Sequence, residues 1–425
     1  MRRILAELPE TLDETYERIL LDIPKANQGH AHRLLQCLTV AIRPLKVDEL
    51  AEVLAVDFSA AAGIPQLNGD LRWKDQEQAV ISACSSLITI VDDSDQDSRI
   101  VQFSHFSVKE FLTSDRLAAS NADSLRYHQI PLEPAHTIMA IACLSVLLRL
   151  DYLVDTQSIE NFPLAEYSAH HFAKHAGFGS VISHMQDRID LLLDTEMPHF
   201  AAWHWVASPS HSRGHHPEQP MGNPLHYMSD FGSPGLARYL ISKHPQYLYD
   251  AVGRLGTPLH AAAAAAHTNA EVFRSLLGQY ADVDVRDLKD GTPLYQVAFW
   301  GRLEACRGLI EQGADVNARG VNSWTPLHRV VFRIPEDPED RYIDVIRFFL
   351  RHGADVNAQD AEHSTPLHIA SREGCLKAVD ILLEHGADAR MKNNEGQTPN
   401  QVARGKYEEE IMQLLSTHAQ SELHT

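Results

Sequence analysis

Hydrophobic residues recur every three to four positions along most of this chain, which is the spacing of amphipathic helices. The first predicted helix covers residues 1–23 and ends near Pro24. Its apolar side is formed by Leu5, Leu8, Leu12, Tyr16, Ile19 and Leu20. Further helices are predicted at 28–42, 47–56, 75–84, 107–117, 133–153, 161–177, 180–194 and 198–206. The chain is therefore predicted to be mainly α.

A different pattern interrupts these helices. Residues 86–91 and 99–103 alternate between apolar and polar side chains around an acidic tip at 92–97, which predicts a two-stranded hairpin. Three short helices followed by a hairpin is the layout of a winged helix.

The C-terminal half contains an internal repeat. Thr-Pro-Leu-His occurs at 257–260, 325–328 and 365–368, with degraded copies at 223–226, 292–295 and 398–399. The six prolines of these motifs are 34, 35, 33, 40 and 33 residues apart. This period and motif are the ankyrin signature. The chain is thus expected to end in a solenoid of about six ankyrin repeats, one of which carries an acidic insertion at 334–340.

Each position of the repeat has a physical role. Thr caps the first helix, and Pro at the next position has no N–H that would lack a partner there. The histidine is expected to make hydrogen bonds within and between repeats, so it is interpreted as structural. Gly313, Gly353 and Gly386 end the second helices, where a left-handed conformation is needed.

Composition excludes several classes of protein. A formal net charge of −20 opposes binding to nucleic acid or to an anionic membrane surface. The five cysteines are scattered, which predicts reduced thiols in a cytoplasmic protein. No P-loop, nucleophile elbow, dinucleotide-binding loop or metal-ligand spacing is present. We therefore expect no catalytic residues, no cofactor and no metal.

The N-terminal half resembles the region that follows the NTPase module in fungal NACHT-ankyrin proteins, which are NLR-like members of the STAND class. The resemblance is carried by residues 8–20, 33–38, 43–50, 103–112 and 198–203. The same winged helix is catalogued under the name GPI inositol-deacylase, although no hydrolase domain is present here. In that family an NTPase precedes the winged helix, and the resemblance implies that such a module was lost in cis or acts in trans.

These observations predict the following organisation. The order is a linker helix at 1–24, a winged-helix domain at 25–120, a helical connector at 121–207, a flexible linker at 208–221, ankyrin repeats at 222–417 and a tail at 418–425. DNA binding by the winged helix is disfavoured because its helices carry Asp48, Glu49, Glu52, Asp57, Asp75 and Glu77. Packing against a neighbouring domain is the favoured role.

A partner-binding surface is predicted at the end of the first helix of each repeat, facing the concave groove. The candidate residues are Asp230, Phe231, Phe299, Trp300, Phe332, Arg333, Arg372 and Glu373. Exposed aromatic side chains on a rigid groove are typical hot spots of protein interfaces. The alternative is that Phe299 and Phe332 pack against neighbouring repeats, and the sequence leaves both interpretations open.

The predicted function is a non-enzymatic scaffold whose ankyrin groove binds a protein partner, as the sensor and relay part of an NLR-like fungal regulator. One alternative is a truncated form of an ATP-dependent STAND switch. Another is a general ankyrin adaptor unrelated to immunity.

Overall fold

The computed structural model describes residues 11–58, 67–68, 72, 75–93, 98–120, 122–151, 153–207, 222–252, 256–265, 270–279, 282–333, 341–405 and 407–421. The chain divides into two compact units, residues 1–220 and 221–425. Several predicted features lie outside the described residues: Leu5, Leu8, most of the hairpin tip, the linker, the acidic insertion and the end of the tail.

The N-terminal unit is helical with one small sheet. Its first helices are α1 (Leu12–Leu21), α2 (Gln28–Val40), α3 (Val47–Leu54), α4 (Gln76–Cys84), α5 (Phe106–Leu112), α6 (Asp115–Ala118) and α7 (Asp123–Arg126). The next are α8 (Leu132–Leu147), α9 (Ala165–Ala176), α10 (Gln186–Leu193) and α11 (Pro198–Ala207). The strands are β1 (Leu45–Lys46), β2 (Ile88–Asp92) and β3 (Arg99–Phe103).

The predicted hairpin is confirmed and gains a third strand. β2 and β3 pair antiparallel, with Ile90 opposite Val101, and β1 adds to the other edge of β3. The sequence analysis missed β1 because two residues are too few to show an alternating pattern. This sheet, with α2, α3 and α4 before its hairpin, has the predicted winged-helix layout.

The single helix predicted at 107–117 is wrong, because the chain breaks between α5 and α6. The Thr113 hydroxyl donates to the carbonyl of Lys109 at 3.0 Å, and the Ser114 hydroxyl donates to that of Phe111 at 2.7 Å. Ser114 then has extended backbone angles before α6. Hydroxyl side chains that bond to nearby carbonyls favour such helix ends.

Two carboxylates in α3 are buried, which corrects part of the argument against DNA binding. Glu49 pairs with the Arg43 guanidinium at 2.6 and 2.8 Å, and Glu52 pairs with Arg72. Glu52 also accepts the N–H of Leu164 at 2.7 Å. The exposed fractions of Glu49 and Glu52 are 1% and 2%, so neither side chain faces a nucleic-acid backbone. Their ion pairs and hydrogen bonds hold α3 against the rest of the N-terminal unit.

The winged-helix part and the following helices share one core. The contact between Glu52 and the start of α9 is one link, and the Tyr167 hydroxyl, which accepts the N–H of Ile42 at 3.1 Å, is another. His175 lies between that hydroxyl and His136, at 2.9 Å from each. Burial lowers the pKa of His175 to about 3, so this histidine is neutral in the folded protein. It is a satisfied core residue.

The C-terminal unit is a series of helix pairs. Its helices are α12 (Pro224–Phe231), α13 (Pro234–Lys243), α14 (Pro258–Ala264), α15 (Ala270–Leu277), α16 (Pro293–Trp300), α17 (Leu303–Glu311), α18 (Pro326–Arg333), α19 (Arg341–Arg351), α20 (Pro366–Arg372), α21 (Leu376–Glu384), α22 (Pro399–Val402) and α23 (Glu408–Ser421). We number the pairs as repeats 1 to 6. Each first helix begins at the proline of the repeated motif, as predicted.

The motif histidines connect consecutive repeats. His328 is one of four: its Nε2 donates to the Ser364 carbonyl at 3.2 Å, while its Nδ1 accepts the backbone N–H of Thr325 at 3.2 Å. Bonds from Nε2 to the next repeat are also made by His226, His260 and His368, at 3.0, 3.1 and 3.1 Å. We call these residues the histidine ladder. For His260, His328 and His368 this geometry requires the neutral ring, because a protonated Nδ1 would face a backbone N–H donor. The Nδ1 of His226 instead faces the backbone and side-chain oxygens of Asn223.

Asparagines form a second connection between repeats. Asn317 donates its amide to the Gly353 carbonyl at 3.0 Å and accepts the Asp355 N–H at 2.8 Å. Asn357 does the same with Gly386 and Asp388, at 3.1 and 2.8 Å. Gly313, Gly353 and Gly386 have φ of 93°, 87° and 87°, which confirms their predicted left-handed conformation.

Repeat 3 has Asp284 at this bridging position. One carboxylate oxygen accepts the Asp315 N–H at 2.9 Å, but the other is buried without a hydrogen-bond partner. An asparagine at this position would donate its side-chain amide to the Gly313 carbonyl, as Asn317 does to Gly353. A carboxylate cannot make that hydrogen bond, because it has no proton to donate. Burial raises the pKa of Asp284 accordingly.

We expect Asp284→Asn to raise the free energy of unfolding of the C-terminal unit by about 1–2 kcal/mol, because a missing hydrogen bond is made and a buried charge is removed. Urea denaturation at pH 7 measures the change. The matched control is Asn317→Asp, which introduces the same defect one repeat later and should destabilise by a similar amount. Equal stability of all three proteins would contradict the bridging role.

Candidate functional site

Repeat 3 departs from the motif at the histidine position, where it has Tyr295. The Tyr295 ring lies against Gly320, where an added Cβ would come within 3.1 Å of ring atoms. Its hydroxyl extends beyond the place of a histidine ring and accepts a hydrogen bond from Arg329 of repeat 4 at 3.3 Å. A connection between repeats is thus made through an arginine side chain instead of a backbone carbonyl.

Two arginines of α18 lie against one aromatic ring of α16. The guanidinium carbon of Arg329 is 4.4 Å from the Phe299 ring centroid, and that of Arg333 is 4.3 Å from the same centroid. Arg329 also lies 4.7 Å from the Tyr295 centroid. Cation–π contacts of this kind are individually worth about 0.5–2 kcal/mol. Phe299 is therefore half-buried beneath two positive charges.

Further aromatic side chains border these contacts. Trp324 packs against Phe332 with ring centroids 5.4 Å apart and donates its Nε1–H to Asp360 at 3.0 Å. Trp300 meets the Phe299 ring edge-on at 5.0 Å and is 40% exposed. We call Tyr295, Phe299, Trp300, Trp324, Arg329, Phe332 and Arg333 the arginine–aromatic cluster.

The predicted groove residues have different environments. Trp300 and Arg333 both contact Phe299, whereas Phe332 packs against Trp324. Phe299 and Phe332 are half-buried. Of the two interpretations that the sequence left open, packing against other side chains therefore accounts for most of their surface. Trp300 remains exposed and available to a partner.

The predicted residues of repeats 1 and 5 do not join the cluster. Phe231 is only 5% exposed, which corrects its expected position on the groove surface: its ring packs inside. The side chain of Asp230 lies outside the described residues. Arg372 pairs with the adjacent Glu373 at 3.3 Å, so the two charges offset each other.

The cluster concentrates positive charge on an acidic protein. Arg329 and Arg333 are one helical turn apart on α18, where like charges destabilise a helix by a few tenths of a kcal/mol. No carboxylate of the described residues lies within 4.0 Å of the Arg329 guanidinium, and its buried Nε has no hydrogen-bond partner. The neighbouring repeats have no such pair of arginines. The equivalent residues are Gln296 and Trp300 in repeat 3, and Ile369 and Glu373 in repeat 5.

Arg302 adds a further charge at the start of α17. Its Nε is also buried without a hydrogen-bond partner. Burial lowers the pKa of Arg302, and the charge of Arg341 lowers it further. A cation at a helix N-terminus is additionally opposed by the helix dipole. Arg302 is thus held in this position at a cost to the free protein.

Sequence reasoning missed Tyr295, Trp324 and Arg329. It considered positions five to eight after the threonine, whereas these residues lie three after, one before and four after it. The replacement of histidine by tyrosine in the third motif was a visible signal. The contact of Arg329 with two rings of the preceding repeat was not, because it depends on the spacing between repeats.

Other kinds of site have little support in the described part of the chain. No group of three or more histidine, cysteine, aspartate or glutamate side chains there is arranged around a metal position. No helix in the described ranges is long and apolar enough to cross a membrane. All five cysteines are buried free thiols, and burial raises the pKa of each, which disfavours the reactive thiolate.

Comparison with protein families agrees with this architecture. A family model described as ankyrin repeats (3 copies) matches residues 259–360 and 338–424. The C-terminal unit is an ankyrin-repeat array. A second family model, described as GPI inositol-deacylase, winged helix domain, matches residues 19–123. The arginine–aromatic cluster therefore belongs to repeats 3 and 4 of an ankyrin array that follows a winged-helix domain.

One curated protein with a similar sequence is the Azaphilone pigments biosynthesis cluster protein L of Monascus ruber. The two chains are 31% identical over 301 residues, which cover 66% of this chain and 61% of the relative. The match thus spans less than two thirds of the relative's length.

Proposed function

We propose that this protein is a non-enzymatic scaffold that binds a protein partner through the arginine–aromatic cluster of its ankyrin array. The observation that carries the proposal is the position of Trp300, an exposed aromatic side chain beside stacked arginines on a rigid pair of helices. Tryptophan and arginine are the residue types most enriched at the energetic centres of interfaces. Ankyrin repeats themselves suggest binding to proteins.

The support of Trp300 favours binding over a structural role. Its ring touches Phe299, which is held in place by Arg329 and Arg333, so its orientation is fixed before a partner arrives. A preorganised aromatic side chain loses little conformational entropy on binding. Gly301 follows Trp300 and ends α16 with φ of 62°. A Cβ at this position would come within 2.9 Å of the Tyr342 ring, so glycine lets Tyr342 pack there.

Trp300→Ala is expected to weaken partner binding about thirtyfold, which corresponds to roughly 2 kcal/mol for an interface anchor. Because the side chain is 40% exposed, the thermal stability should change little. Partners are captured with the wild-type full-length chain from its native host, and the affinity of the captured protein is then measured by calorimetry.

The matched control is Tyr249→Ala, which removes another exposed aromatic side chain of the same array, 54% exposed. This variant should bind like the wild type. Unchanged affinity of Trp300→Ala, with unchanged folding, would contradict the proposal.

We also propose a sensor and relay role, in which ligand binding to the repeats is transmitted through the winged helix to an NTPase module in cis or in trans. Its support is the resemblance to NLR-like fungal proteins and the order of winged helix and repeats in one chain. The relative's name places that protein in a pigment biosynthesis cluster, which favours the alternative of an adaptor unrelated to immunity. Recovery of an NTPase among the captured proteins would distinguish the two.

A further inference from the structure

We propose that two copies of this chain associate through the outer edge of β2, with the two β2 strands side by side and antiparallel about Ile90. The resulting sheet has the strand order β1-β3-β2 followed by β2, β3 and β1 of the second copy. This surface lies in the winged-helix domain and does not involve the arginine–aromatic cluster. It gives the scaffold two ankyrin arrays in one assembly, so a partner with two binding sites gains avidity.

The β2–β3 ladder shows which backbone groups of β2 are already used. At its ends, the Ser104 N–H donates to the Leu87 carbonyl at 3.0 Å, and the Asp93 N–H donates to the Ser98 carbonyl at 2.8 Å. Hydrogen-bonded and non-hydrogen-bonded pairs alternate along an antiparallel ladder. Every second residue from 87 to 93 therefore directs its backbone groups towards β3.

The remaining residues of β2 direct their backbone groups away from β3. These are Ile88, Ile90 and Asp92, and in the part of the chain that the structure describes they have no hydrogen-bond partner on that side. Ile90 is half-buried and Asp92 is exposed, so this edge reaches the surface. A row of unpaired N–H and C=O groups is a template for another strand.

The two outer edges of the sheet differ in their protection. β1 has only two residues, one of which is Lys46, and it follows Pro44. Short strands, lysine and proline are common devices that prevent pairing between sheet edges. β2 has five residues, and the first four, Ile-Thr-Ile-Val, include no charge, proline or glycine. The edge of β2 is thus open to pairing, whereas that of β1 is protected.

The spacing of the free groups selects a second β2 as the occupant. Ile90 lies midway between Ile88 and Asp92, so a two-fold axis at Ile90 sets each free residue opposite another free residue. Ile90 pairs with its own copy and Ile88 with Asp92, each pair exchanging two hydrogen bonds. Thr89 and Val91 then face each other across the axis, and β-branched side chains pack well as cross-strand neighbours.

Charge favours the antiparallel arrangement of the two strands. The sequence has aspartates at 92, 93, 95 and 97, whereas residues 83–87, before β2, are uncharged. Antiparallel pairing sets the acidic end of one strand beside the uncharged end of the other. Parallel pairing would set two acidic ends side by side, and like charges repel. The net charge of −20 opposes association of two chains in general, so added salt should strengthen this dimer.

Sedimentation velocity of the full chain measures the association. We expect a reversible monomer–dimer equilibrium between about 1 and about 100 µM, because a pair of short strands buries less surface than a standard interface. Thr89→Lys combined with Val91→Lys sets lysine opposite lysine twice and should weaken the dimer about tenfold or more. Thr89→Lys combined with Val91→Glu sets lysine opposite glutamate twice and should restore it. Circular dichroism checks that every variant is folded.

The double-lysine variant separates a specific contact from a general charge effect. Two added lysines make the net charge less negative, so general repulsion between chains alone would predict a tighter dimer. The strand pairing predicts a weaker one.

Cysteine pairs test the register. The five native cysteines are buried. Positions 89 and 91 of different copies form a non-hydrogen-bonded pair, with Cα atoms about 4.5 Å apart, which a disulfide can bridge. A mixture of Thr89→Cys and Val91→Cys proteins should therefore form a disulfide-linked dimer under mild oxidation, and neither protein alone should.

The matched control for the cysteine pair is Gln102→Cys, an exposed position opposite Thr89 on β3. It lies one strand further from the axis, about 10 Å from position 91 of the second copy, which is too far for a disulfide. A mixture of Gln102→Cys and Val91→Cys proteins should not cross-link.

A chain that stays monomeric at about 100 µM would overturn the inference, even if β2 captures a strand of another protein. So would a dimer that the two lysines leave unchanged, or equal cross-linking in the mixture and in the single variants. Trp300→Ala changes the other unit of the chain and should leave the dimer unchanged. The inference and the proposed function therefore fail independently.

Discussion

Replacing Trp203 with alanine is expected to lower the free energy of unfolding of the N-terminal unit by about 4 kcal/mol, the usual range for a buried tryptophan. The side chain is fully buried and donates its ring N–H to the Ala169 carbonyl at 2.8 Å. Its ring also meets Phe172 and Phe200 edge-on, at 5.6 and 6.2 Å. Alanine would leave a large cavity between α9 and α11 and remove the hydrogen bond that connects these helices.

Hydrogen exchange read by mass spectrometry measures this effect in the full chain, because it reports peptides of the two units separately. Peptides of α9 and α11 should exchange much faster in Trp203→Ala, while those of the ankyrin array should not change. Trp203→Phe keeps most of the ring and loses the hydrogen bond, so it should cost clearly less. A loss below about 1 kcal/mol in Trp203→Ala would show that α11 contributes little to this core.

Acidification is expected to destabilise the ankyrin array through the histidine ladder. Burial lowers the pKa of His328 from 6.5 to about 4 and also lowers those of His226, His260 and His368. The unfolded chain therefore binds more protons than the folded one below about pH 6.5, and stability falls as the pH decreases towards 4. Between pH 7 and pH 5, His328 alone should account for a loss of about 2 kcal/mol. The raised pKa of Asp284 acts in the opposite direction.

The chain offers a matched control for this effect. In repeat 6 the histidine position is occupied by Gln401, whose amide oxygen accepts the Thr398 N–H at 2.9 Å. His328→Gln can keep the equivalent bond and does not titrate. Urea denaturation at pH 7 and pH 5 should show a smaller pH effect in this variant, by about 2 kcal/mol. An unchanged pH dependence would mean that the pKa of His328 is the same in the folded and unfolded states, which would contradict the effect of burial.

The repeat architecture could be predicted because its signals are local. Proline at the first position of a helix and glycine after the last one act within a few residues, so Pro326 and Gly353 marked real boundaries. The two-residue strand β1 could not be predicted in this way, since its existence depends on β3, more than fifty residues later.

Burial of charged residues was the main source of error. Glu49 and Glu52 look like the exposed face of a short acidic helix until their partners are known. Two of the partners of Glu52, Arg72 and the Leu164 N–H, lie 20 and 112 residues away along the chain. No local pattern contains that information. The burial of Phe231 has the same cause, because it depends on packing beyond its own helix.

The location of the candidate site could be predicted from the sequence, but the role of its arginines could be predicted only in part. Trp300 and Arg333 were found from their register in the repeat. The sequence analysis emphasised aromatic side chains as binding groups, whereas the structure uses Phe299 mainly as a platform for arginines. The cationic character of the site comes from the contact between repeats 3 and 4, which converts separate positions into one surface.

The most direct test of this account is site-specific photo-crosslinking. A benzophenone amino acid is placed at Trp300 in one protein and, as the control, at the exposed Arg351 in another, and both are irradiated in lysate of the native host. We predict a discrete cross-linked partner from position 300, reduced by Arg329→Gln in the same chain, and none from position 351. A partner cross-linked only from position 351 would contradict the assignment of the arginine–aromatic cluster as the recognition surface.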